Sequence, residues 1–288
     1  MWTRINRCLL LGSGLIAIAS PVSAQAYHFS TGNPDGLIAT ASQPQSAGKV
    51  EIETADDFVV TQDTNITNGT FTGLLPANTD ATNIGNVVIE IYRVFPFDST
   101  VPASGNVPTR NNSPSDVAFI SADLSSGGLS LTTSTLSSNF TAANSVINNI
   151  SVGSLGEGPV SGQEVLLSFI LTTPFDLPAG HYFFVPQVQL SDGTFLWLSA
   201  ARPIVAPGTP FPGGFTDLQS WTRNAALAPD WLRVGTDITN AGPFNAAFSL
   251  EGAAVPEPAS WAMMLVGFVA IGWAAQPRRR RRRRQLAA

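Results

Sequence analysis

Between residues 27 and 252 no stretch places apolar residues three and four apart for long enough to make an amphipathic helix. Strand-length runs of β-branched and aromatic residues recur instead. Val87-Val88-Ile89-Glu90-Ile91-Tyr92-Arg93-Val94 is closed by Pro96, and the run from Gln163 to Thr173 is closed by Pro174. Proline has no N–H to give to a ladder, so each marks a strand end. His181-Tyr182-Phe183-Phe184-Val185 follows the turn residues Leu177-Pro178-Ala179-Gly180. Thr194 to Ser199, Trp231 to Ile238 and Phe244 to Leu250 read as further strands. Asn, Ser, Thr, Gly and Pro separate them, which predicts an all-β chain folded as a single β-sandwich or jelly-roll-like domain over residues 27–252. Residues 96–116 and 203–214 read as long loops.

The two ends differ from this body. Arg4 and Arg7 precede an apolar run from Cys8 to Ala19, and small residues lead to Ala24-Gln25-Ala26. A basic start, a short apolar centre and an Ala-x-Ala site describe a secretory signal peptide over residues 1–26, with cleavage after Ala26 preferred to cleavage after Ala24. The lone cysteine, Cys8, falls inside that segment. The mature chain then cannot be a disulfide scaffold, a thiol enzyme or a cysteine-ligated metal protein. The roughly 225 residues that remain suffice for a core without covalent staples.

Net charge over the whole sequence is -5, but nine of the fifteen bases lie in the two terminal segments. Between Asp35 and Glu251 six bases face nineteen acids, a net charge of -13. Nucleic-acid binding rests on neutralising phosphates with Lys and Arg, so that partner class is excluded.

Residues 253–288 form a tail with three parts. Pro256-Glu257-Pro258 comes first; residues 259–275 carry no charge; Arg278, Arg279, Arg280, Arg281, Arg282, Arg283 and Arg284 follow. Seventeen apolar residues make a helix of roughly 25 Å, slightly short of a hydrocarbon core of about 30 Å. Trp261 and Trp273 sit near the ends of the run, where indoles favour the membrane interface, and snorkelling arginines extend the span. The arginines orient such a helix with its C-terminal end in the cytoplasm. This order of Pro-Glu-Pro, apolar helix and basic cluster resembles the PEP-CTERM sorting domain of Gram-negative bacteria. The resemblance implies recognition of Pro256, Glu257 and Pro258 by exosortase, an integral-membrane cysteine protease, and association with exopolysaccharide. It covers about a tenth of the chain. A weaker likeness to secreted β-sandwich modules of PEP-CTERM proteins rests on Ala55-Asp56-Asp57-Phe58, on Asn68-Gly69-Thr70-Phe71-Thr72-Gly73-Leu74 and on Leu177 to Phe184. Those modules have no settled activity, so this second likeness bears on fold alone.

Several residues are candidates for chemistry. Asp56-Asp57 is the best acidic pair for calcium, which needs six to eight oxygen ligands, though neighbouring strand residues reach one ion only at a bend or bulge; the competing reading is pairing with a base or capping of a turn. Trp221-Thr222-Arg223 and Trp231-Leu232-Arg233 repeat one spacing. Positions i and i+2 share a strand face, so Trp221, Arg223, Trp231 and Arg233 can form an aromatic-cation patch suited to glycan stacking, or buried tryptophans whose arginines pair with acids such as Asp217 and Asp230. His181 starts a strand; His28 lies beside the new N-terminus and reads as mobile. No Gly-x-Ser-x-Gly elbow and no His-Glu-x-x-His zinc motif occurs in the mature chain. Glu90, Glu157 and Glu164 are available as hydrolytic carboxylates, but nothing in the sequence singles them out. Gly153 to Gly158 is superficially like a phosphate loop, but no lysine follows and it reads as a turn.

The expectation is an exported, non-enzymatic cell-surface or matrix protein without a cofactor, calcium being the one exception considered. The secretion machinery carries it, the inner membrane holds it before processing, and exosortase and exopolysaccharide are its partners. A carbohydrate-binding module and a secreted polysaccharide hydrolase are the alternatives.

Overall fold

The computed structural model describes residues 25–46, 48–77, 79–100, 102, 104–200, 219–255 and 265–269. Within them fifteen strands follow in order: β1 (Ala26–Ser30), β2 (Pro34–Ala41), β3 (Ile52–Val60), β4 (Thr64–Pro76), β5 (Ile84–Arg93), β6 (Ile120–Asp123), β7 (Leu129–Ala142), β8 (Asn144–Val146), β9 (Val160–Leu177), β10 (Gly180–Leu190), β11 (Leu196–Ala200), β12 (Trp221–Asn224), β13 (Leu232–Arg233), β14 (Asn245–Ala246) and β15 (Phe248–Ala254). The chain is all-β in two sheets. One has nine strands, with the path β1-β15-β4-β11-β2-β8, β14 beside β11, β9 beside β4 and β7 beside β9; the other has six, in the order β13-β12-β3-β10-β5-β6. Pairing is antiparallel throughout except between β2 and β8.

The core shows why these residues form these strands. Gly69, Phe71 and Gly73 lie on one face of β4, as alternate residues must. A Cβ on Gly69 would stand 2.8 Å from the Phe169 ring, and one on Gly73 would stand 2.2 Å from the Phe195 ring. The two glycines therefore make room for aromatic rings on either side of Phe71, which meets Phe195 edge-on at 5.9 Å. Phe184 of β10 reaches across from the other sheet and stacks on Phe169 at 5.8 Å and on Phe248 at 5.1 Å. Phe58, Phe71, Phe169, Phe184, Trp197 and Phe248 thus join both sheets in one buried cluster. Burying each such ring stabilises the fold by about 1.5–3 kcal/mol.

The outer face of the six-stranded sheet has its own small core of Ala55, Tyr92, Phe183, Val185, Trp221 and Trp231. The long connection between β5 and β6 covers it. Residues 96–116 of that segment read as a long loop, and Arg110, Ser113 and Ser115 within it are buried.

Two local expectations change. Trp231 to Ile238 does not continue as a strand: Val234–Ile238 is a π-helical turn. Gly235 lies against Gly242, whose carbonyl oxygen would be 2.0 Å from any Cβ added there, and Asp237 accepts the Arg233 N–H at 2.9 Å. His28 is not a mobile end but part of β1, opposite Glu251 and 3.7 Å from its carboxylate. Residues 265–269 are helical, and among the described residues no helix is long and apolar enough to cross a membrane. The expected span over 259–275 extends beyond the described residues, as does the 203–214 loop.

Candidate functional site

The two Trp-x-Arg motifs meet. β12 pairs antiparallel with β13, Trp221 opposite Arg233, and with β3, Arg223 opposite Glu53. This register crosses the motifs, so that the guanidinium carbon of Arg223 lies 4.3 Å from the Trp231 ring centroid and that of Arg233 lies 5.2 Å from Trp221. Arg223 Nε donates to the Glu53 carboxylate, and its Nη2 donates to the Tyr92 hydroxyl at 3.1 Å. Tyr92 in turn donates to Glu53 at 2.5 Å. The covering segment closes the group, with Asp116 O accepting from Arg223 at 3.0 Å and Ser115 O accepting from Trp231 Nε1 at 3.1 Å. Arg110 pins that segment between Asp116 and Asp230.

Trp221 and Trp231 are both 0% exposed. A ring without an accessible face cannot stack on a sugar, so the glycan surface expected of Trp221, Arg223, Trp231 and Arg233 is not formed. Trp221, Trp231 and Arg223 form a buried joint that the half-buried Arg233 borders. Asp230 partners Arg110 instead of a motif arginine, and Asp217 lies outside the described residues. Glu53, the acid that matters most here, was not among the sequence candidates. The signal was present: Glu53, Ala55 and Asp57 alternate along β3 and share its outer face.

Asp56 and Asp57 engage different partners. Asp56 accepts the Ala246 N–H from the opposite sheet and the Asp57 N–H at 2.8 Å. Burial, then the neighbouring Asp57 charge, push the Asp56 carboxyl well above the usual carboxylate range. Asp57 Oδ2 lies 2.9 Å from Nε2 of His181 on β10. Burial pushes the His181 imidazole down to about 4, so the ring is uncharged at neutral pH. Among the described residues no group of three or more His, Cys, Asp or Glu side chains is placed to hold a metal ion. As a calcium pair Asp56 and Asp57 therefore gain no third carboxylate there.

The hydrolytic candidates separate. Glu90 lies with Glu53 around the Tyr92 hydroxyl, 3.4 Å from it. Burial, then the charges of Glu53 and Glu51, raise Glu90 to about 7. Glu157 accepts the backbone N–H groups of Ile147, Asn148 and Asn149, and against the opposing effect of burial these bonds hold it below its ordinary value. It closes a turn, in keeping with the reading of Gly153 to Gly158. Glu164 stands alone in β9, raised by burial.

The chain leaves the domain from β15. The Ala254 N–H donates to Gln25 O at 2.8 Å and the Val255 N–H donates to Asp63 O at 2.7 Å. Pro256, Glu257, Pro258 and the arginines from Arg278 to Arg284 lie outside the described residues, as do residues 1–24. Residues 254–283 match the family model of the PEP-CTERM protein-sorting motif. This chain carries a PEP-CTERM sorting signal. The motif implies export and processing by exosortase, a membrane protease. The matched residues begin on the last residue of β15. No curated protein and no solved structure matches the chain.

Proposed function

We propose that this PEP-CTERM chain is a non-enzymatic surface or extracellular-matrix protein associated with exopolysaccharide. The single observation that carries this reading is the sorting motif at 254–283, following an acidic, cysteine-free sandwich. In this account the secretion machinery exports the chain and the apolar run 259–275 holds it in the inner membrane. Arg278 to Arg284 stay cytoplasmic, and exosortase acts at Pro256-Glu257-Pro258. The mature chain starts at Gln25 rather than Tyr27, because cutting after Ala26 would remove the first residue of β1 and the Gln25 carbonyl that holds Ala254.

The test is a Pro256→Ala/Glu257→Ala/Pro258→Ala variant in a host with exosortase, with intact mass read at both ends of the purified chain. The account expects the variant to keep its tail, and the unaltered chain to lose it and to begin at Gln25. An unaltered chain that keeps its tail in that host would overturn the processing step, and a mature chain beginning at Tyr27 would overturn the Ala24 cut.

A second reading, hydrolysis of a polysaccharide, is favoured by one observation: Glu90 and Glu53 both contact the Tyr92 hydroxyl, and Glu90 is raised to about 7. A general acid needs such a value near neutral pH. Glu53, however, is committed to Arg223 and buried. Reducing-end release from the host polysaccharide, abolished by Glu90→Gln, would establish this reading; none from the unaltered chain removes it.

A further inference from the structure

The nine-stranded sheet ends on one side in β7, which pairs with β9 alone among the described residues except where its last residues meet β2. From Leu129 to Thr135 the ladder with β9 is unbroken, and beyond Thr135 two irregularities bend the strand. Thr132, Thr133, Ser134, Thr135 and Leu136 are all exposed, on both faces of the strand. β7 thus overhangs the sandwich with a straight edge of backbone N–H and C=O groups. Proteins ordinarily guard such an edge with Lys, Pro or a very short strand. Leu129 to Ala142 contains no charged residue and no proline, and runs for fourteen residues.

Charge selects what this edge can take. The domain between Asp35 and Glu251 carries a net charge of -13, yet residues 124–156 contain no Asp, Glu, Lys or Arg. No other stretch of that domain is neutral for as long. Two copies of so acidic a domain repel wherever their charged faces meet, and β7 lies inside the one long segment where they do not. Its Ser and Thr side chains are small, β-favouring and able to bond their like across a two-fold axis.

We propose that β7 is a homotypic docking edge: a second copy of this chain pairs its β7 antiparallel along Ser130–Thr135 and continues the nine-stranded sheet across both domains. The interface is isologous, so it closes as a dimer. It uses backbone pairing for affinity and the absence of charge for partner choice.

The experiment is sedimentation of the full chain in detergent across a range of concentrations, beside two double variants. Thr133→Lys/Thr135→Lys places charges on the edge; both positions are exposed, so the thermal midpoint reports whether the fold is kept. Thr61→Lys/Gln62→Lys places the same charge on an exposed turn away from β7. The proposal expects a reversible dimer, weakened about tenfold or more by the first pair and unchanged by the second. Cysteines introduced one at a time at Thr132, Thr133 and Ser134 give a second reading, since the mature chain has none, and at least one is expected to form a disulfide-linked dimer. A monomer at every concentration, a dimer indifferent to Thr133→Lys/Thr135→Lys, or equal weakening by both pairs would overturn it.

Discussion

Arg223 lies over Trp231 with its guanidinium carbon 4.3 Å from the ring centroid, and beneath the segment that joins β5 to β6 both are hidden from solvent. The pair does structural work: it ties β12 to β3 through Glu53 and gives the covering segment two anchors at Asp116 and Ser115. Arg223→Ala leaves the Glu53 carboxylate buried without its counter-charge, which costs about 3–5 kcal/mol. Denaturant titration reads this as a lower midpoint with an unchanged slope. A loss below about 1 kcal/mol would mean that solvent reaches Glu53 and that the joint is open.

Acid destabilises the fold through His181. Its pKa is pushed from 6.5 in the unfolded chain to about 4 in the folded one, so the unfolded state binds more protons across that interval. Stability is full above about 6.5 and falls as pH drops toward 4. His181→Gln keeps an N–H for Asp57 but cannot titrate, and is expected to flatten that slope. Chemical unfolding at pH 7, 6, 5 and 4 checks it; parallel slopes for the two proteins would refute it.

Glu90 acts in the opposite direction. Its pKa rises from 4.5 to about 7 on folding, so the folded state binds the additional proton and stability is lost as pH climbs through 7. Glu90→Gln removes the titration and the repulsion from Glu53 and Glu51. The variant is expected to match the unaltered chain near pH 4 and to exceed it in thermal midpoint at pH 8. An equal or lower midpoint at pH 8 contradicts the assignment.

Phe184 is one of the rings through which the two sheets touch. Phe184→Ala removes stacking on Phe169 and Phe248 and leaves a cavity that both sheets line, a loss of about 3–5 kcal/mol. Phe183→Ala, on the outer face, provides a comparison within the same strand. Equilibrium unfolding of the two variants should show the sandwich core in Phe184 and the smaller outer cluster in Phe183.

Several strands were legible because their residues announce themselves locally, whereas the polar β7 carries no such run. Val87 to Val94, Gln163 to Thr173 and His181 to Val185 are β-branched or aromatic runs with a proline or glycine at an end. Val234 to Ile238 carries the same composition and yet turns, because Gly235 packs on Gly242 and no propensity encodes that approach. The Trp-x-Arg spacing puts each pair on one strand face. What hides them comes from residues more than a hundred positions earlier, Ser115 and Asp116, and their acid, Glu53, lies 170 positions from Arg223. Asp57 and His181 are 124 apart. Such partnerships are set by strand order, and strand order is what local pattern does not carry. The tail differed because its three parts are contiguous.

The central claim is that this tail decides where the sandwich resides. It is tested most directly by fractionating cells that make the chain without residues 255–288, beside cells that make it whole in a host without exosortase. The account predicts that the whole chain is held in the membrane fraction and that the shortened one is soluble in the periplasm. A shortened chain that stays as membrane-bound as the whole one would contradict it.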